Sequence, residues 1–261
     1  MIPLREQEFI RDMFQESLTG PVKLEFFTQR RAPVFIPGRE DCQFCDEVQQ
    51  ILEELTHLSD KISLRVHDLA KAGDEVKRYG IERVPATVVR GVLNRPLVFY
   101  GMPGGSLFPV LIEACVAVSV GVSGTAPALK RRLKRIKRDL SVRIFTTMED
   151  PDGADMARQV AGIALESGRV HLAVIESGEF PALVEQTGVQ SVPLTVIDGR
   201  VRLDGYLSTE ETLDQIVRAA ETTAAAASPR VTGSGMILDA PQPGEIQRGE
   251  TRPSGLIIPG R

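Results

Sequence analysis

Apolar positions along this chain recur with two periods, and the alternation between them follows the same order twice. Helical spacing over residues 5–18 gathers Phe9, Ile10, Met13, Phe14 and Leu18 on one side. Short runs rich in β-branched and aromatic residues then predict strands at 22–27, 62–68, 87–90 and 97–100. Helical patterns fall at 45–58, 71–79 and 105–119, with Gly80 as the stop of the second. The order returns with strands at 142–146, 170–176, 195–198 and 201–204, and helices at 154–167, 180–186 and 208–221.

A shared frame ties the two rounds together. Tyr79-Gly80-Ile81-Glu82-Arg83-Val84-Pro85 leads into Ala-Thr-Val-Val, and Thr187-Gly188-Val189-Gln190-Ser191-Val192-Pro193 leads into Leu-Thr-Val-Ile. A repeat this long means two copies of a domain, because solenoid periods run ~20–50 residues. Between the copies, residues 128–139 set Leu129, Leu133, Ile136 and Leu140 at helical spacing against a face of lysines and arginines. No aromatics interleave those charges, so they read as the solvated face of a linker helix rather than a membrane or nucleic-acid surface. From residue 224 an alanine run gives way to Pro, Gly, Ser and Arg without periodicity. That composition predicts a flexible tail, with apolar islands at 234–237 and 254–259. The expected organisation is a first unit at 1–122, a linker helix at 123–139, a second unit at 140–223 and the tail at 224–261.

Composition narrows the classes. With 261 residues, 42% of them hydrophobic, the chain can bury one or two domain cores. A net charge of −4 with 25% charged residues gives no global reason to expect nucleic acid as a partner. Three cysteines are too few for a disulfide scaffold. No basic segment followed by an apolar one opens the sequence, so no signal peptide is expected. The most apolar run, 107–122, contains Glu113 and Ser119 and falls short of a membrane span. A reducing cytoplasm is the expected compartment, where paired thiols serve catalysis or metal binding more often than structure.

The candidate chemistry is Cys42-Gln43-Phe44-Cys45, lying between the first strand and a helix inside a strand–helix–strand pattern. Two thiols so spaced at a helix start read as a thiol–disulfide exchange site. Cys42, aimed at by the unpaired N–H groups and positive dipole end of that helix, is the expected attacking thiolate. Cys45, one turn on, is the expected resolving thiol. Glu40 and Asp41 oppose ionisation of Cys42, so only moderate acidity is expected. Other readings stay open: half a zinc site completed by Cys115, His57 or His67, a pair of unreactive core thiols, or a structural disulfide. No second CxxC or paired histidine favours the first of these. Cys115 lies in an apolar helix and reads as a packing residue, while the histidines read as surface positions.

The chain resembles the thioredoxin superfamily, and within it the two-unit protein disulfide oxidoreductases, also called glutaredoxin-like proteins. The resemblance rests on Phe26-Phe27-Thr28, Cys42-Gln43-Phe44-Cys45-Asp46, Glu53-Glu54-Leu55, the Tyr79–Thr87 frame and Tyr100-Gly101-Met102-Pro103-Gly104-Gly105, and spans residues 5–222. It implies an α/β architecture of two tandem thioredoxin-like folds, each a central mixed β-sheet flanked by helices, followed by the tail. It also implies that Pro85 is cis and packs beside the dithiol, with Val84 offering its backbone to an extended substrate. Gln43, Phe44, Val84 and Pro85 are the substrate-contacting residues on this reading. Glu25 falls where thioredoxins carry a buried acid, and beneath the active helix it could accept the Cys45 proton. The alternative is an exposed strand glutamate paired with Lys23.

The sequence departs from that pattern twice. Residues 29–41, with Arg30, Arg31, Pro33, Pro37 and Gly38, form an insertion expected to loop over the site. In the second unit, Asp150 and Gly153 stand as far ahead of Pro193 as Cys42 and Cys45 stand ahead of Pro85, so its CxxC is lost. Arg143 stands where Glu25 stands in the first unit. The acids around Asp150 read as a helix cap rather than a metal loop.

The expected activity is exchange of disulfides with protein substrates, as a reductant, through the redox-active Cys42–Cys45 pair with no bound cofactor or metal. Electrons would come from a thioredoxin-reductase-like flavoprotein or from glutathione. Alternatives are a dedicated electron donor to a peroxidase and a non-enzymatic, redox-sensitive binding protein. Residues 254–261 resemble the loading peptides of encapsulin cargo proteins, so the tail has an expected docking partner or docks on its own fold.

Overall fold

The computed structural model describes residues 2–29, 42–121, 127–222, 230–232 and 237–238. Residues 30–41, nearly all of the insertion expected to loop over the site, and most of the tail, including residues 254–261, lie outside these. After α1 (Leu4–Ser17) the first unit runs β1 (Val22–Thr28), α2 (Cys45–Thr56), β2 (Ile62–Asp68), α3 (Gly73–Tyr79), β3 (Ala86–Arg90), β4 (Leu97–Tyr100) and α4 (Leu107–Val120). A short α5 (Pro127–Leu133) leads to β5 (Leu140–Thr146), α6 (Pro151–Ser167), β6 (Val170–Glu176), α7 (Pro181–Thr187), β7 (Leu194–Ile197), β8 (Val201–Asp204) and α8 (Thr209–Glu221). β9 (Arg230–Thr232) and β10 (Ile237–Leu238) follow.

The strands form one ten-stranded sheet in the order β10-β9-β8-β7-β5-β6-β4-β3-β1-β2. Within each unit the middle strand has a parallel neighbour on one side (β1 with β2, β5 with β6) and an antiparallel one on the other (β1 with β3, β5 with β7). This is the mixed sheet that two thioredoxin-like folds require. The units join where β4 pairs with β6 in parallel, Val98 opposite Ala173 and Tyr100 opposite Ile175. The registers are equivalent too, because Glu25 opposes Val88 and Arg143 opposes Val196, each three residues past its proline.

Strand alternation splits the interior into layers. Val22, Leu24 and Phe26 enter one large core with residues of α1, α2, α4, α6 and α8, and it runs across both units. The opposite face holds two smaller cores, Phe27 with Ala72 and Ile81 around α3, and Phe145 with Leu183 and Leu194 around α7. Those two short helices leave much of that face open. α4 is buried along most of its length, including Leu111, Ala114 and Cys115, which explains its unusually apolar sequence.

One expectation needs correction. The basic linker helix ends at Leu133, and its charges are not simply solvated. Arg132 bonds to Asp214 of α8, Arg135 to Glu221, and Arg138 donates to the Ala219 and Ala220 carbonyls, so this segment clamps the last helix. Past α8, β9 pairs in parallel with β8, Leu203 opposite Val231. Among the described residues no helix is long and apolar enough to cross a membrane.

Candidate functional site

β1 delivers the chain to the rim of the sheet, and α2 starts there with Cys45 as its first residue. Cys42 and Cys45 are joined by a disulfide. Both are nearly enclosed, at 5% and 3% exposure, and share the large core with Leu24, Phe26, Val48 and Leu52. Phe44 caps the helix without a side-chain hydrogen bond and packs partly against the same core. Asp46 and Glu47 occupy the first turn, where they favour the helix dipole but oppose a nearby thiolate.

A cavity of about 410 Å³ opens beside Cys42. The first unit contributes Gln43, Val84 and Pro85, and the second unit contributes Gly178, Glu179 and Phe180. The Val84–Pro85 peptide bond is cis, as the resemblance implied. Pro85 accepts a hydrogen bond from Gly101 N at 2.9 Å, while the Val84 N–H and carbonyl take no partner among the described residues. Of the expected site residues, Cys42, Gln43, Val84 and Pro85 therefore meet at one cavity. Cys45 sits behind them through the disulfide, and Phe44 does not line the cavity.

Glu25 is not part of this group. It shares the face of β1 with Phe27, which packs with Ala72 and Ile81 around α3, and it does not line the Cys42 cavity. Nor is it an exposed partner of Lys23. At 3% exposure it accepts bonds from Arg90 Nε at 3.0 Å and from His67 Nε2 at 2.8 Å. Burial by itself would raise its pKa, but the bonds from His67 and Arg90 and the Arg90 charge outweigh it and hold the carboxyl below its ordinary range. His67 is accordingly a buried residue, stacked on Phe27 with ring centroids 4.8 Å apart, rather than a surface position.

Two acids line the Cys42 cavity, Glu82 and Glu179, and the sequence pattern singled out neither for it. Glu179 ends the 3-10 turn after β6, and its carboxylate accepts the Met102 N–H. Burial is the main cause that pushes its pKa up to about 7; the Met102 bond works against this, and repulsion from Glu176 and from Glu47 of α2 adds to it. Glu176, 4% exposed, is itself raised by burial despite accepting backbone N–H bonds, among them Glu179 N at 2.9 Å. Gly101 makes the close approach possible: its φ is +92°, and a Cβ there would stand 2.8 Å from Glu176 Cβ and 3.0 Å from a Glu179 oxygen. Nothing local in Glu176-Ser177-Gly178-Glu179 signals this role, because only the β4–β6 pairing brings it to the other unit's dithiol.

A thioredoxin-domain family model matches residues 151–218, inside the second unit. Over both units, the N-terminal domain of the alkylhydroperoxide reductase AhpF from Enterococcus faecalis superposes with a TM-score of 0.73. That match has 21% identity and covers 83% of this chain and 100% of the other. The fold of both units is thus thioredoxin-like. A protein disulfide oxidoreductase from Aeropyrum pernix K1 shows the same two-unit fold, with a TM-score of 0.72, 22% identity and coverage of 84% of this chain and 94% of that one. Among curated proteins, the alkyl hydroperoxide reductase AhpF from Xanthomonas campestris pv. phaseoli is 27% identical over 180 residues, 69% of this chain and 31% of that protein. Its Escherichia coli K12 counterpart is 21% identical over 212 residues, 81% of this chain and 37% of that protein. The chain thus spans about a third of the length of these relatives.

The second thioredoxin unit closes its corresponding position. Asp150 caps α6 by accepting from Gly153 N at 3.0 Å, and Thr146 Oγ1 donates to its other oxygen at 3.0 Å. A Cβ on Gly153 would come within 1.9 Å of Thr146 Oγ1, so no cysteine fits there without rearrangement. Among the described residues no cluster of histidine, cysteine and acidic side chains could hold a metal ion. Cys115 is a free thiol buried in α4, pushed up to about 12 by burial.

Proposed function

We propose that the chain exchanges electrons with disulfides through Cys42 and Cys45. The observation that carries this is the disulfide at the mouth of a cavity walled by Gln43, Val84 and Pro85. In the reduced protein the Cys42 thiolate attacks one sulfur of a substrate disulfide, and the other substrate sulfur leaves as a thiolate and is protonated. Cys45 then attacks the Cys42 sulfur, releasing the second substrate thiol and restoring the Cys42–Cys45 bond. Two electrons pass from the dithiol to the substrate, and an external two-electron donor, a flavoprotein reductase or glutathione, returns the pair to the dithiol. The unpaired Val84 N–H and carbonyl suit pairing with an extended substrate backbone. Glu179, near neutrality at the same cavity, supplies the proton for the departing thiolate.

A second reading is favoured by the curated relatives, both alkyl hydroperoxide reductase components. In it the chain relays electrons from a reductase to a peroxidase that consumes hydroperoxide. Equilibration in glutathione or dithiothreitol buffers tests the common core. The pair should titrate as one two-electron couple, nearer to the roughly −270 mV of a reductant than to the roughly −120 mV of an oxidant. A pair that stays oxidised throughout would overturn both readings. Rapid peroxidase-coupled turnover with slow insulin reduction would favour the relay.

A further inference from the structure

The open face of the sheet carries a concentration of positive charge that the exchange chemistry does not use. A groove of about 1040 Å³ runs beside α7 over β5, β7 and β8, and a second hollow of about 480 Å³ lies between α3 and α7. They share Glu82, Arg83, Ser141, Arg143 and Leu183 and so form one channel. Arg78, Arg83, Arg138, Arg143, Arg200 and Arg202 line it, against the carboxylates of Glu82 and Asp198. The chain as a whole has a net charge of −4, so this face stands out against its background.

The arginines are spaced apart rather than converged. Arg143 pairs with Glu82 at 2.6 Å, and Arg138 pairs with Asp198. Arg202 donates to the Thr187 and Gly188 carbonyls at 2.6 and 2.9 Å, which orients its guanidinium, and it makes no ion pair among the described residues. Arg200 is exposed and makes no ion pair among the described residues. The Nε atoms of Arg83 and Arg202 are buried without an acceptor among the described residues. Charges strung along a channel suit a series of carboxylates better than a single phosphate cluster, and guanidinium forks bind carboxylates in two-point fashion. The channel also leads to the dithiol, since Glu82 and Arg83 line the Cys42 cavity as well.

We propose that this channel docks an acidic segment of the protein whose disulfide enters the Cys42 cavity. Its purpose rests on the exchange reading above; the binding itself does not. The test uses the oxidised full-length protein and two fluorescein-labelled peptides, one alternating glutamate with glycine and the other glutamine with glycine. By fluorescence anisotropy the glutamate peptide should bind about tenfold more tightly at low salt. That preference should vanish near about 0.5 M salt, where the screening length falls to roughly 4 Å. The double variant Arg143→Gln/Arg200→Gln should weaken glutamate-peptide binding about fivefold with unchanged circular dichroism. Equal binding of the two peptides, an unaffected double variant, or tighter binding of a single-stranded oligonucleotide would overturn the proposal. The same peptides carrying a disulfide, given to the protein with its Cys42–Cys45 pair first reduced, separate the two claims. Glutamate-selective binding without reduction sinks the exchange reading alone, whereas reduction without charge preference in binding or rate sinks the channel alone.

Discussion

Glu25 and Glu179 show how environment assigns opposite tasks to one side-chain type. Glu25 is an anion held by Arg90 and His67 on the face of β1 that carries Phe27, and its contribution is to stability. Glu25→Gln should cost about 2–3 kcal/mol in denaturant titration at neutral pH, because Arg90 loses its counter-ion in a nearly buried pair. Its pKa is lowered on folding, so the contribution is present above the ordinary carboxylate range and is lost as pH falls through the folded value. The variant and the parent should therefore converge in acid, with Cys42 alkylation rates alike throughout. Glu179 has the reverse sign. Folding raises its pKa to about 7, so the native state loses stability as pH rises from the ordinary value towards neutrality. Glu179→Gln keeps an acceptor for the Met102 N–H and should be more stable than the parent at pH 8 by about 1–2 kcal/mol. An inflection near pH 7 in the exchange rate of the parent should disappear in the variant. Its persistence would remove Glu179 from the chemistry.

At the scale of elements, periodicity located the strands and helices well but not the faces they present. β2 and β4 lie where alternation put them, and the duplicated frame set the two prolines in equivalent turns. Alternation along β1 separates Glu25 from Phe26, yet it does not say which face α2 covers, because the residues between β1 and α2 carry no periodic signal. His67 was missed for a related reason: β2 exposes Val66 and buries His67, so the polar residue is the one turned inward. The linker helix stops at Leu133, and beyond it Arg135 and Arg138 take partners on α8 that a sequence pattern does not display. The loss of the second dithiol was plain in Asp150 and Gly153. The reason it is not readily regained, the Thr146 hydroxyl against Gly153, needed coordinates.

For the whole molecule, the second unit is part of the first unit's site. Pairing of β4 with β6 brings Glu179 and Phe180 to the Cys42 cavity and lays the arginine channel across both units. This explains why a unit without cysteines is an integral part of the machinery. The central claim remains that Cys42 is the reachable sulfur and Cys45 its resolver. Intact-mass analysis of Cys45→Ser after reduction and exposure to a peptide disulfide tests it most directly. One stable mixed disulfide should form on Cys42 and be absent from the Cys42→Ser/Cys45→Ser protein. An unmodified chain, or an adduct on the buried Cys115 instead, would contradict the account.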